Sequence, residues 1–212
     1  MFELVAENLH FSEGPRWHQN KLWFSDFYQH AVFSIDEQGI LEKVVDIPNQ
    51  PSGLGWMPDG SMLIVSMLDR KVMKFKEGQL SVHADLSQLT AFRCNDMVVD
   101  EIGNAYVGNF GSLYHAKNIK PTCLIFVNVN GDAKIIERNF DFPNGTVITP
   151  DGKKMIIGET YGGRLTSFDI NSDGSLTNRQ IWAQMMPTSY YLLTKIVRAL
   201  KIPVKEGRAT PY

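Results

Sequence analysis

Cysteine is scarce in this chain of 212 residues. Its two thiols, Cys94 and Cys123, have neither the spacing of a C-x-x-C pair nor the number for a disulfide framework. They read as free buried cysteines, with a disulfide or a nucleophile as the lesser alternatives. Charge of one sign is also lacking: 21 basic and 23 acidic side chains leave a net charge of −2, which gives no broad attraction for phosphate backbones. Nucleic acid is therefore not an expected partner. Long hydrophobic runs are missing, since the apolar stretch 123–127 falls far short of the roughly 20 residues that span a bilayer. The first residues carry no basic leader or long apolar segment, so no secretory signal is read and a cytoplasmic location is expected. No glycine-rich phosphate loop, H-E-x-x-H pair or G-x-S-x-G elbow occurs, and the five histidines share no spacing. Nucleotide binding, a zincin site and a serine-elbow hydrolase lose their support with them.

What the chain has instead is a repeat. Four segments open with a short polar turn-like stretch, pass through apolar residues, turn again and enter a β-rich run. They begin around Ser12-Glu13-Gly14-Pro15, Pro51-Ser52-Gly53-Leu54, Cys94-Asn95-Asp96-Met97 and Pro143-Asn144-Gly145-Thr146. Aligning Glu13, Ser52, Asn95 and Asn144 gives spacings of 39, 43 and 49 residues. Such spacings suit one four-stranded propeller blade, at about 40–50 residues each. Turns at Asp59-Gly60, Glu77-Gly78, Asn130-Gly131, Asp151-Gly152 and Asp173-Gly174 supply the hairpin conformations that blades need. A β-sandwich is the competing reading, but it leaves the recurrence of one motif at blade spacing unexplained.

After Trp182 the repeat stops. Residues 1–187 read as a partial β-propeller and 188–212 as a divergent basic tail. Leu192, Leu193, Ile196, Val197 and Leu200 share one helical face, with Lys195, Arg198 and Lys201 on the other. This amphipathic helix is read three ways: as a cover for the protein's own apolar surface, as a membrane or partner contact, or as the product of truncation or a frame change.

In a propeller the innermost strands line a central channel, and equivalent blade positions form a ring around it. Here that ring holds Glu13, Ser52, Asn95 and Asn144, all with side-chain oxygen, the donor that hard divalent cations prefer. Plain turn chemistry is the alternative for each of these residues. Arg93 is a candidate for binding an anionic or hydroxylated substrate, or an ordinary surface arginine. Asp96 is a candidate to accept a proton or orient a ligand, or else a cap on its own backbone.

The motifs at 12–17, 22–26, 93–96, 143–145 and 149–153, in this order, resemble the gluconolactonase, regucalcin (senescence marker protein) and luciferin-regenerating enzyme family. The resemblance implies a six-bladed β-propeller of the lactonase type, of which this chain carries about four blades and then departs. It further implies one divalent metal, Ca²⁺ foremost with Mg²⁺, Mn²⁺ or Zn²⁺ as alternatives, and hydrolysis of a sugar lactone or related cyclic ester. By that similarity Glu13 and Asn144 match metal ligands, Asn95 matches an asparagine near metal and substrate, and Arg93 matches a substrate-contacting arginine. The family's further aspartate, a metal ligand and general base about 50 residues beyond Asn144, has no counterpart: the only acid after Asp173 is Glu206. The resemblance therefore implies a hydrolase of doubtful activity with no catalytic base assigned. A non-catalytic partial propeller, binding a ligand or self-associating through an open edge strand, is the second reading. A propeller of the strictosidine-synthase-like kind is the third.

Overall fold

The computed structural model describes residues 4–111 and 120–185. The amphipathic stretch and basic tail from 188 lie outside the described residues. Sixteen strands and no helix make up the described chain. The first sheet is Ser12–His18 (β1), Lys21–Asp26 (β2), Ala31–Asp36 (β3) and Leu41–Asp46 (β4). The second is Pro51–Trp56 (β5), Met62–Ser66 (β6), Lys71–Lys76 (β7) and Gln79–Asp85 (β8). Cys94–Val99 (β9), Ala105–Asn109 (β10), Thr122–Val127 (β11) and Ala133–Phe140 (β12) form the third. Pro143–Ile148 (β13), Lys154–Glu159 (β14), Arg164–Ile170 (β15) and Leu176–Gln184 (β16) form the fourth.

Each sheet is an antiparallel meander whose strands pair in chain order. The first strand of each packs against the first strand of the next, in the order β1, β5, β9, β13. These are four consecutive blades of a β-propeller, with those four strands innermost.

The run Met62-Leu63-Ile64-Val65 shows why the sheets stack face to face. Successive side chains point to opposite faces of a strand. Met62 and Ile64 pack with Val32 and Leu54 between the first two blades, while Leu63 and Val65 pack with Met97, Ala105 and Val107 between the second and third. A strand buried on both sides reads as a continuous apolar run rather than an alternating one. Between the third and fourth blades Tyr106, Phe126, Met155, Ile157 and Phe168 repeat the arrangement, and the Tyr106 hydroxyl donates to the Gly174 carbonyl at 3.1 Å. A sandwich has one interface between two sheets. Here there are three, and the sandwich reading fails.

The hairpins follow the turn chemistry. Glu77 and Gly78 both take positive φ, 51° and 77°, the type I′ geometry that matches strand twist. The turn between β1 and β2 does the same with Gln19 and Asn20, at 48° and 60°, and no glycine marks it in the sequence. Both cysteines are free and buried, as expected.

Candidate functional site

Glu13, Ser52, Asn95 and Asn144 occupy the second position of β1, β5, β9 and β13, so the repeat alignment places them at one level of the four innermost strands. They are not turn residues, as the plainer reading had it. Each lies where the pairing between its strand and the next shifts register, between Glu13 and Arg16, Pro51 and Leu54, Cys94 and Met97, and Pro143 and Thr146. A bulge re-aims side chains locally, and bulges are common beside functional sites. The inner strands also approach closely at this level. A Cβ on Gly53 would lie 2.3 Å from the Met97 amide nitrogen, and one on Gly14 2.8 Å from the Ser52 carbonyl oxygen. Glycine after the ring position is thus a packing requirement in the first two blades.

Ser52 and Asn95 are 2% and 5% exposed, and the Ser52 hydroxyl donates to the Asn95 side-chain oxygen at 3.3 Å. The Ser52 carbonyl in turn accepts from the Ser25 hydroxyl at 2.6 Å. The other end of the Asn95 amide, Nδ2, meets no partner among the described residues. A buried amide half left unmet costs about 1–3 kcal/mol, which an ordered water or a ligand oxygen would offset. Glu13 and Asn144 are half-buried, and one Glu13 carboxylate oxygen accepts from the Gly14 N–H at 3.1 Å. Arg93 is exposed immediately before β9, and its carbonyl accepts from the Phe110 N–H at 3.1 Å. That places it at the end of β9 where Asn95 lies.

Asp96 lies within β9 rather than in a turn. It is buried in β9 and pairs with Arg16 of β1, Nη2 to Oδ1 at 2.7 Å, and the same Nη2 donates to the Met97 carbonyl at 2.6 Å. With 10% and 4% of the two side chains exposed, this pair links the first and third blades across the second.

A second set of polar residues stands behind the ring. The last residues of β2, β6, β10 and β14 are Asp26, Ser66, Asn109 and Glu159, all essentially buried. Each pairs with the residue just before a ring position: Ser12, Pro51, Cys94 and Pro143. Asp26 accepts from the backbone N–H of His10, Phe11, Tyr28 and Gln29, tying the approach to β1 to the turn after β2. Burial pushes its carboxyl up, but the N–H donors of His10, Gln29 and Phe11 and the Gln29 amide outweigh it and hold it below the usual range. Ser66 donates to Asp69 at 2.6 Å. Asn109 donates to the Cys123 carbonyl at 3.0 Å and accepts from the Gly111 N–H and the Thr122 hydroxyl.

Glu159 is the most heavily bonded of the four. It accepts from Arg164 Nε and Nη2 at 2.9 and 2.8 Å, from the Asp141 N–H at 2.9 Å and from the Thr166 hydroxyl. These bonds hold the corner 141–142 that leads into Pro143 and Asn144. Phe142 has φ of 60° there, unfavourable for an aromatic residue, and its ring stacks on Phe110 at 4.6 Å. The sequence reading did not pick out these four residues. Their spacings of 40, 43 and 50 track those of the ring, and that periodicity is the signal that could have found them.

Among the described residues no group of three or more His, Cys, Asp or Glu side chains could hold a metal ion. The ring offers a different donor set, one carboxylate with amide and hydroxyl oxygens. No described helix is long and apolar enough to cross a membrane.

The fold is a β-propeller arrangement of four blades with oxygen-bearing side chains at the second position of each innermost strand. Residues 11–192 match the SMP-30/Gluconolactonase/LRE-like region, and the chain belongs to that family. Among solved structures it is similar to a gluconolactonase from Xanthomonas campestris, at 20% identity over 86% of this chain and 65% of the other, with a TM-score of 0.70. It is likewise similar to the calcium-binding protein regucalcin from Agrobacterium tumefaciens, at 20% identity over 82% and 59% with a TM-score of 0.67. A luciferin-regenerating enzyme matches at 17% identity over 85% and 62%, with a TM-score of 0.70. At these identities the likeness establishes the fold. The chain spans less than two thirds of the length of each of these three proteins.

Proposed function

We propose that the ring holds one divalent cation through the Glu13 carboxylate and the Asn144 side-chain oxygen, with Asn95 beside them to meet the substrate. The chain is then a lactonase-like hydrolase of a sugar lactone or related cyclic ester. The observation that carries this reading is the recurrence of oxygen-bearing side chains at the second position of four inner strands; the unmet Nδ2 of Asn95 is a donor and suits a substrate oxygen rather than the cation. An all-oxygen set with one carboxylate favours Ca²⁺ over Zn²⁺. When bound, such an ion polarises an ester carbonyl and stabilises the developing oxyanion. Ser52 orients the Asn95 amide, Glu159 fixes the corner that delivers Asn144, and Arg93 offers a guanidinium to substrate oxygens. The gluconolactonase and regucalcin neighbours support the same chemistry.

Among the four ring positions of the described residues Glu13 is the one carboxylate, and slow turnover is the expected outcome. The assay is hydrolysis of gluconolactone followed by acid release. The expected result is a weak rate, raised by Ca²⁺ and removed by EDTA or Glu13→Gln. A rate insensitive to both would refute the assignment.

The single ring carboxylate also favours a second reading, a non-catalytic ligand-binding module, which calcium binding without any turnover would support. Self-association through the edges of β4 and β12 gains nothing, since these strands carry Glu42, Lys43, Lys134, Glu137 and Arg138, charges of the kind that discourage edge pairing.

A further inference from the structure

The innermost strands have a second feature at their opposite ends. A cavity of about 790 Å³ opens there, lined by the later residues of β1, β5, β9 and β13 and the turns that follow them. That volume falls within the roughly 300–1,000 Å³ of small-molecule sites. Its walls are chiefly apolar, with Trp17, Trp56, Leu54, Val99 and Val147 among them. Trp56 is held in place, stacked on His18 at 4.0 Å between ring centres and met edge-on by Trp23 at 5.5 Å. Trp17 is 48% exposed and offers its indole to the cavity.

The charges of the lining are one-sided. Arg16 is the one lysine or arginine among the lining residues, and Asp96 neutralises it. Burial lowers the pKa of His18, which leaves that ring neutral at pH 7. Asp100 and Glu101 remain, and neither makes an ion pair among the described residues. Asp100 Oδ1 accepts from the N–H groups of Ile102, Gly103 and Asn104, and its Oδ2 accepts from the Asn104 side-chain amide at 2.9 Å. The cavity is thus an aromatic and aliphatic chamber with two carboxylates at its rim, Asp100 held by its own turn and Glu101 exposed, neither in an ion pair among the described residues. Indole faces and carboxylates attract the same kind of ligand, a cation on an apolar body.

We propose that this cavity binds an organic cation, a flat apolar ring bearing a protonated amine, at the end of the channel opposite the oxygen ring. Its ring lies against Trp17 and Trp56, and its ammonium faces Asp100 and Glu101. The site needs no metal and no lactone, so it stands or falls apart from the proposed hydrolase.

The test uses the full chain and two probes of the same ring and opposite charge, 1-naphthylmethylammonium and 1-naphthylacetate, titrated by calorimetry at low salt. The ammonium is expected to bind at least about tenfold more tightly than the carboxylate. Trp17→Ala, at an exposed position where folding is not at stake, is expected to weaken it about tenfold, and Glu101→Gln to reduce the preference for the cation. Absence of saturable ammonium binding, equal affinity for the two probes, or affinity unchanged by Trp17→Ala would each overturn the proposal. A second copy of the chain as occupant would show as a mass that rises with concentration and falls in Trp17→Ala, and would overturn it too.

Discussion

Glu159→Gln is the substitution for which the structure gives the clearest magnitude. The carboxylate is fully buried and accepts four hydrogen bonds, two from Arg164, one from the Asp141 N–H and one from the Thr166 hydroxyl. Glutamine keeps the shape but replaces one acceptor oxygen with a donor, which then faces the N–H groups of Asp141 or Arg164. Removing one partner of a buried pair costs about 3–5 kcal/mol. Arg164 is 26% exposed and keeps the Asp141 carboxylate at 3.2 Å, which places the loss at the lower end, about 3 kcal/mol. For a chain of this size that is a fall in Tm of about 6–12 °C.

The pH dependence follows from the direction of the shift. Burial raises the Glu159 pKa, but the bonds from Arg164, Thr166 and Asp141 outweigh it and the folded value lies below the unfolded one. The stabilisation is therefore complete above the unfolded pKa of about 4.3 and is lost as pH falls through the folded value. Urea unfolding followed by tryptophan fluorescence is expected to show a constant gap between wild type and variant from pH 6 to 8, closing in acid. A gap below about 1 kcal/mol at pH 7, the scale of a surface pair, would refute the reasoning. So would a gap that widens in acid.

Other outcomes follow from the same packing. Gly53→Ala puts a Cβ 2.3 Å from the Met97 nitrogen and 2.9 Å from the Asp96 carbonyl carbon, so β5 and β9 must separate. A loss of at least about 1–3 kcal/mol in urea unfolding is expected, and a neutral variant would contradict the close approach. Burial pushes the Cys94 thiol up to about 12 and raises Cys123 as well. Neither is expected to react with a thiol reagent at pH 8 until the chain is unfolded in urea; prompt modification of the native protein would count against the fold. Asp26→Ala strands four backbone donors and is expected to speed amide exchange at His10, Phe11, Tyr28 and Gln29 while leaving blade four protected, a pattern that uniform exchange would exclude.

The blades and the ring were legible in the sequence because both are periodic. A ring residue recurs every 39 to 49 positions with a strand behind it, and the apolar run Met62-Leu63-Ile64-Val65 announces burial on both faces. The Arg16–Asp96 pair was not legible, because its partners are 80 residues apart and meet only when three blades stack. The turn at Gln19 and Asn20 was missed because left-handed conformations were sought at glycine. Asp26, Ser66, Asn109 and Glu159 were missed for a different reason. Four residue types fill one structural position, and each blade satisfies the same corner with different donors. Position, more than residue identity, is what repeats.

A cation site centred on Glu13 is read by calorimetric titration of the chain with Ca²⁺. One equivalent is expected to bind, with affinity reduced at least about tenfold by Glu13→Gln and by Asn144→Ala, as loss of a ligand to a hard cation requires. Binding of the same strength in all three proteins, or none in the wild type, would contradict it.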